Sequence, residues 1–239
     1  MRVLLLVMLA ALMVSGQSMP AHPLGPVAGG MRIGAIEGRL ETGHPIRLGT
    51  IEGRLEVRPA AARRRAKRYL GGAVEAPHTV QSIPAVVFLR GPFPAVSPTA
   101  GRVRLEQHDT TFAPAVVFVR VGGTVEFPNG DPFFHNVFSY SPAQRFDLGR
   151  YPQGESKSVR FDEPGIVRIY CEVHETMRSA VIVVQNPFHA MVDDRGTFVI
   201  HDVPAGRWEL EAWHPDVDGR VTTITVESGR TTSLTIPLS

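Results

Sequence analysis

The residues best suited to chemistry in this chain are Cys171, His174 and Met177, set in the order Cys-x-x-His-x-x-Met, together with His135 upstream. Cys171 is the only cysteine, so it cannot form an internal disulfide. A thiolate, two imidazoles and a thioether form a donor set that suits copper in both oxidation states. The sulfurs hold Cu(I), the imidazoles hold Cu(II), and a weak axial methionine tunes the potential. Taken singly, a lone cysteine is a small buried hydrophobe and a lone methionine is core. Here they sit together between two apolar β-like runs, Ile166–Tyr170 and Ala180–Val184. That setting makes them a metal site which the fold must assemble from one short loop and a distant strand end.

Other chemistries find less support. A Cys/His/His set could hold catalytic zinc with an open water position, but Glu172 and Glu175 alternate with the ligands on the loop and offer no evident general base. Oxygen-reducing copper clusters need further His-x-His pairs, and the sequence has none. No motif for a serine or cysteine nucleophile is present. The other histidines (His22, His44, His78, His108, His189, His201, His214) are scattered singly and read as surface or core positions. Trp213-His214-Pro215 reads as the end of a packed strand. The chain is therefore expected not to be an enzyme. A net charge of +2 gives no footprint for nucleic acid.

The elements around these residues are all β. Val103 and Leu105 alternate with Arg102, Arg104 and Glu106, the period of a half-buried strand. Further strands are expected at Val116–Val119, Thr124–Phe127, Asn136–Tyr140, Arg145–Leu148, Ser156–Phe161, Gly165–Tyr170 and Ala180–Val184. Their turns are marked by Gly122-Gly123, Asn129-Gly130, Pro152 with Gly154, and Pro164-Gly165. Short strands at this spacing indicate a Greek-key sandwich over 101–185.

At these residues the sequence resembles the plastocyanin/amicyanin group of cupredoxins. Val125-Glu126-Phe127-Pro128-Asn129-Gly130-Asp131, followed by His135-Asn136-Val137, is similar to the group's first ligand loop. Gly165 to Val181 is similar to its closing strand, ligand loop and last strand, with an amicyanin-like short spacing from His174 to Met177. The resemblance implies one type 1 copper ion, with His135, Cys171 and His174 as equatorial ligands and Met177 as the axial one. It implies that Asn136 ties the two ligand loops together near the thiolate. It also implies that His174 emerges through an apolar patch. Pro132, Phe133, Phe134 and Pro142 would supply the rim, and packing would account for them equally well. Over the whole chain the similarity is to cupredoxin-containing proteins labelled methylamine-utilisation proteins.

The flanks suggest a second, smaller sandwich. Asp193–Ile200 and Asp202–Leu210 resemble the carboxypeptidase regulatory-like and transthyretin-like Ig-like β-sandwich family, in which a D-x-x-G-x-F-x-I strand precedes a D-x-P-x-G turn. Val221–Val226 and Thr232–Leu238 add two alternating strands. The region 187–239 alone is short for an independent core. The missing opening strands correspond to Gly49–Val57 and Ala85–Leu89 within 49–92, so the cupredoxin is expected as an insertion into this sandwich. Pro84–Leu89 is bounded as a buried strand, and Phe93–Ala100 reads as a stiff Pro-rich linker.

Residues 1–16 read as a secretory signal, with Arg2, an apolar Val3–Val14 and a small-residue cleavage site at Val14-Ser15-Gly16. The apolar run is short for a bilayer span. Residues 17–48 read as a linker containing Gly34–Glu41, an almost unchanged copy of Gly49–Glu56, with the second copy as the structural strand. The basic run Arg63–Arg68 could meet an acidic redox partner or an anionic membrane surface, or form a solvated helix face. Two functions remain open. One is a periplasmic or secreted, monomeric one-electron carrier, docking a c-type cytochrome or a dehydrogenase near His174 and Phe134. The other is a copper-handling or extracytoplasmic interaction module without a redox circuit.

Overall fold

A computed structural model describes residues 47–58, 81–93 and 101–239. The signal-like segment, the first copy of the repeat, the basic run and most of the Pro-rich linker lie outside the described residues. Among the described residues the fold is all β, and no helix is long and apolar enough to cross a membrane.

Two β-sandwiches are nested in the chain. The inner one runs through β3 (Arg102–Arg104), β4 (Glu106–His108), β5 (Thr111–Ala113), β6 (Val116–Arg120), β7 (Gly123–Pro128), β8 (His135–Ser141), β9 (Gln144–Tyr151), β10 (Ser156–Phe161), β11 (Gly165–Tyr170) and β12 (Arg178–Val184). One sheet has the order β10-β7-β3 and the other β6-β12-β11-β8-β9, with β4-β5 as a small hairpin at one end. Alternation places Val125, Phe127, Val167, Ile169, Val181 and Val183 between the sheets, where they form one buried core with Phe161 and Tyr151. The runs read from sequence appear as strands, several longer by a residue or more at their ends. The strand read around Val103 and Leu105 is split. Leu105 is fully buried between β3 and β4, and its amide donates to the Glu126 carbonyl at 2.8 Å.

The outer sandwich takes β1 (Leu48–Val57) and β2 (Val86–Leu89) from one side of the inner one. From the other side come β13 (His189–Met191), β14 (Thr197–Pro204), β15 (Gly206–His214), β16 (Val217–Val226) and β17 (Thr231–Leu238). Its sheets have the orders β14-β1-β17 and β13-β2-β15-β16. β1 is the central strand of its sheet, antiparallel to β14 and parallel to β17. Ile51, Leu55, Val87 and Leu89 share one core with Phe188, Phe198, Leu210 and Ile236. The two sandwiches meet face to face. Val86, Phe88 and Trp213 of one pack against Val116, Ala180, Ile182 and Val184 of the other.

Candidate metal centre

His135 opens β8, and Cys171 is the first residue beyond β11. These strands are antiparallel neighbours through Tyr170 and Phe138. The start of one strand therefore lies beside the end of the other, and His135 reaches Cys171. The loop after Cys171 closes on itself. The Met177 amide donates to the His174 carbonyl at 3.0 Å, and the Cys171 amide donates to the Met177 carbonyl at 3.3 Å. The turn lets β12 return along β11 and holds His174 near its start.

Three donor atoms converge as a result. Cys171 Sγ lies 3.7 Å from His135 Nδ1, and His135 Nδ1 lies 3.2 Å from His174 Nδ1. Donor atoms of all three residues lie within 4.8 Å of one another. For a metal such as zinc, bonds to sulfur and nitrogen are about 2.3 and 2.0–2.1 Å. Two ligands set roughly 105–120° apart on such an ion sit about 3.2–3.8 Å from each other. The two separations made by His135 Nδ1 fall in that window, and the donor set of one thiol and two imidazoles fits a metal ion held between them. Met177 is fully buried in the same core cluster as Cys171.

The orientation of His135 is set by Asp131, whose Oδ2 lies 2.7 Å from His135 Nε2. An ionised carboxylate can only accept, so Nε2 carries the proton and Nδ1 turns its lone pair towards Cys171 and His174. Asp131 is itself buried. Burial works to raise its pKa, but the hydrogen bond from His135 and the amides of Thr110 and Asp109 together hold it below its usual value. The loop is braced by Asn129. Its Oδ1 accepts the Asp131 amide at 2.9 Å, and its Nδ2 donates to the carbonyls of Phe133 and Tyr151. Burial lowers the pKa of His174, as does the neighbouring imidazole of His135, which would repel a second positive charge, with Asp131 opposing. The neutral, metal-ready form of His174 is thereby favoured.

Apolar side chains reach the surface beside the cluster, alongside the exposed Glu172 and Glu175 of the loop. The Phe133 ring lies 5.1 Å from the His135 ring and 5.4 Å from that of His174. Phe133, Phe134 and Val173 are 41%, 55% and 40% exposed.

The side chain of Asn136 makes a different hydrogen bond from the one the resemblance implies. Its amide donates to Asp147 Oδ1 at 2.6 Å, across the β8–β9 pair and not between the two ligand-bearing segments. A register shift between Asn136 and Phe138 accompanies that pairing. Sequence reading passed over Asp131 and Gln107. Asp131 is signalled only by its place four residues before a histidine. Gln107 is fully buried, and its Nε2 donates to the Tyr151 hydroxyl, which donates to the Phe127 carbonyl at 2.8 Å. His108, Asp109 and Asp131 form a second cluster, but both oxygens of Asp131 are already engaged by His135 and by backbone amides.

Comparison with known proteins gives partial likenesses. Residues 176–234, about a quarter of the chain, match the family Polysaccharide lyase family 4, domain II. No curated protein matches the chain. Among solved structures, a Cu-containing nitrite reductase from Thermus scotoductus is 25% identical over 38% of this chain, with a TM-score of 0.34. That match spans 24% of the nitrite reductase. A purple cupredoxin from Nitrosopumilus maritimus is 22% identical over 35% of this chain and 98% of its own, with a TM-score of 0.32. Amicyanin from Paracoccus versutus is 22% identical over 41% of this chain and 96% of its own, with a TM-score of 0.33.

Proposed function

We propose that the chain is an extracytoplasmic type 1 copper protein that carries single electrons between redox partners and has no catalytic residues of its own. The observation behind this reading is the convergence of Cys171 Sγ with Nδ1 of His135 and His174, the latter two 3.2 Å apart. A His₂Cys set with a nearby methionine is the donor set of blue copper, and the metal would supply a one-electron couple. His135, Cys171 and His174 would hold it equatorially and Met177 axially. Asp131 keeps Nδ1 of His135 free for the metal. Burial of three of the four side chains excludes water, so the shell need not reorganise as charge changes. The exposed ring of Phe133, 5.4 Å from that of half-buried His174, gives an apolar face that the exposed Phe134 would extend. There a c-type cytochrome or a dehydrogenase can approach the site closely.

Copper(II) added to the purified apo protein should give an intense visible thiolate-to-copper charge-transfer band. Cys171→Ser should abolish that band while leaving the fold intact. Reduction should not release the ion. Tight zinc binding with only a weak, colourless copper complex would overturn the reading. Rapid transfer of Cu(I) to a mild chelator would replace the carrier with a copper-handling protein.

A further inference from the structure

The ligand loop is held from outside its own sandwich. Gln81 belongs to the segment that enters β2 of the outer sandwich, and two residues later Ile83 is buried at the contact between the sandwiches. The main-chain amide of Gln81 donates to the carbonyl of Thr176 at 3.0 Å. Its carbonyl accepts from Arg178 Nε at 2.9 Å. Its side chain grips the backbone of Phe112 at both ends: Nε2 donates to the Phe112 carbonyl at 2.5 Å, and Oε1 accepts the Phe112 amide at 2.9 Å. Arg178 then reaches Asp216, in the turn between β15 and β16, with Nη1 donating to Oδ1 at 3.1 Å. Thr176 and Arg178 are the two neighbours of Met177 in the chain. The outer sandwich therefore brackets the residue that closes the loop: Gln81 meets both of its chain neighbours, and Asp216 holds the side chain of one of them.

These contacts are specific in a way that mere packing is not. Gln81 engages four groups of three residues on two segments, and none of its partners belongs to the outer sandwich. The loop's own closure rests on only two main-chain hydrogen bonds, one of them 3.3 Å long. A segment with so few internal restraints opens locally unless it is tied down.

We propose that Gln81 and Asp216 are positioning residues through which the outer sandwich holds the Cys171–Met177 loop in its ligand-bearing shape. The role in metal retention rests on the copper reading above, whereas the hold on the loop itself does not.

The test uses the full chain in three variants: Gln81→Ala, Asp216→Ala and, as a control, Glu227→Ala. Glu227 lies in the same sandwich, where it forms an exposed ion pair with Arg230. In the apo protein, amide hydrogen exchange at Cys171 and Met177 reports opening of the loop, while exchange at Val125 and Val181 reports the core. Gln81→Ala keeps the main-chain bonds to Thr176 and Arg178 but loses the two side-chain bonds to Phe112 that hold Gln81 in place beside the loop, so exchange at Cys171 and Met177 should speed up by roughly tenfold. Asp216→Ala should give a smaller rise, Glu227→Ala none, and the core amides should stay unchanged in all three. With copper loaded, the first two variants should keep the colour, because no ligand is replaced, and should lose Cu(I) to a bidentate chelator faster than wild type. If Gln81→Ala fails to fold, Asp216→Ala decides, since its side chain is half exposed. Unchanged loop exchange in both variants, or an equal rise in the control, would overturn the proposal. Faster loop exchange in a protein that never colours with copper would support the hold on the loop and overturn the copper reading. A coloured protein without the exchange effect would do the reverse.

Discussion

A histidine that binds metal through one ring nitrogen works best when the other nitrogen is engaged, because the tautomer is then fixed before the metal arrives. Asp131 supplies that engagement for His135 and is itself held by the backbone amides of Asp109 and Thr110. Asp131→Ala should therefore weaken metal affinity by about 10–100-fold with all four proposed ligands in place. Asp131→Asn, which can still accept from Nε2, should fall between that variant and wild type. Titration against a competing chelator measures this, and wild-type affinity in Asp131→Ala would mean that the carboxylate is only structural. The ligand types were legible because Cys171, His174 and Met177 are close in sequence and have rare chemistry. Asp131 was not, because an aspartate after Asn-Gly reads first as a turn residue. Gln81 was invisible, since its partners Phe112, Thr176 and Arg178 lie on segments that only the fold brings to it.

At the scale of elements, alternation and turn residues mark strands well where the strands exceed about four residues. The short β4, β5 and β13 have three residues each, too few to show a period. The parallel pairing of β1 with β17 joins the two ends of the described chain, and no local pattern announces it. The Gly-x-Ile-Glu-Gly-Arg-Leu-Glu motif does have a local physical reason. Gly53 pairs with Phe198 on β14. A Cβ on Gly53 would come 2.3 Å from Phe198 Cζ and 3.0 Å from the Leu234 carbonyl oxygen. The Phe198 ring thus lies across the bare backbone of the central strand, and glycine is required there by close approach. Gly53→Val should displace the ring and lower unfolding stability by about 1–3 kcal/mol, as read from the denaturant midpoint. The metal site belongs to the other sandwich, so its spectrum should be unchanged. A neutral effect on stability would mean that the ring has room to move aside.

At the scale of the whole molecule, the question is what keeps two sandwiches in one arrangement. Their contact is apolar at its centre, with Phe88 and Trp213 against Ile182 and Val184, and a histidine lies at one edge of it. The imidazole of His189 stacks on Phe118 with ring centroids 3.9 Å apart. Its Nδ1 is buried without a hydrogen-bond partner among the described residues. Burial, and secondarily the charge of Arg120, push the pKa of His189 down to about 4. In the unfolded chain the same histidine titrates near about 6.5. The folded-state value is the lower one, so the unfolded state binds the proton first as pH falls. The stability due to neutral His189 is thus fully present above about pH 6.5. It is lost progressively as pH drops towards about 4, by at most about 1.4 kcal/mol per pH unit. His189→Phe keeps a ring on Phe118 and removes the proton. Its denaturation midpoint should fall less steeply than wild type across this window, and the difference between the two proteins cancels the titration of every other group. Parallel pH profiles for the two would mean that His189 is protonated without cost and that the sandwiches do not meet through a dry contact at that edge.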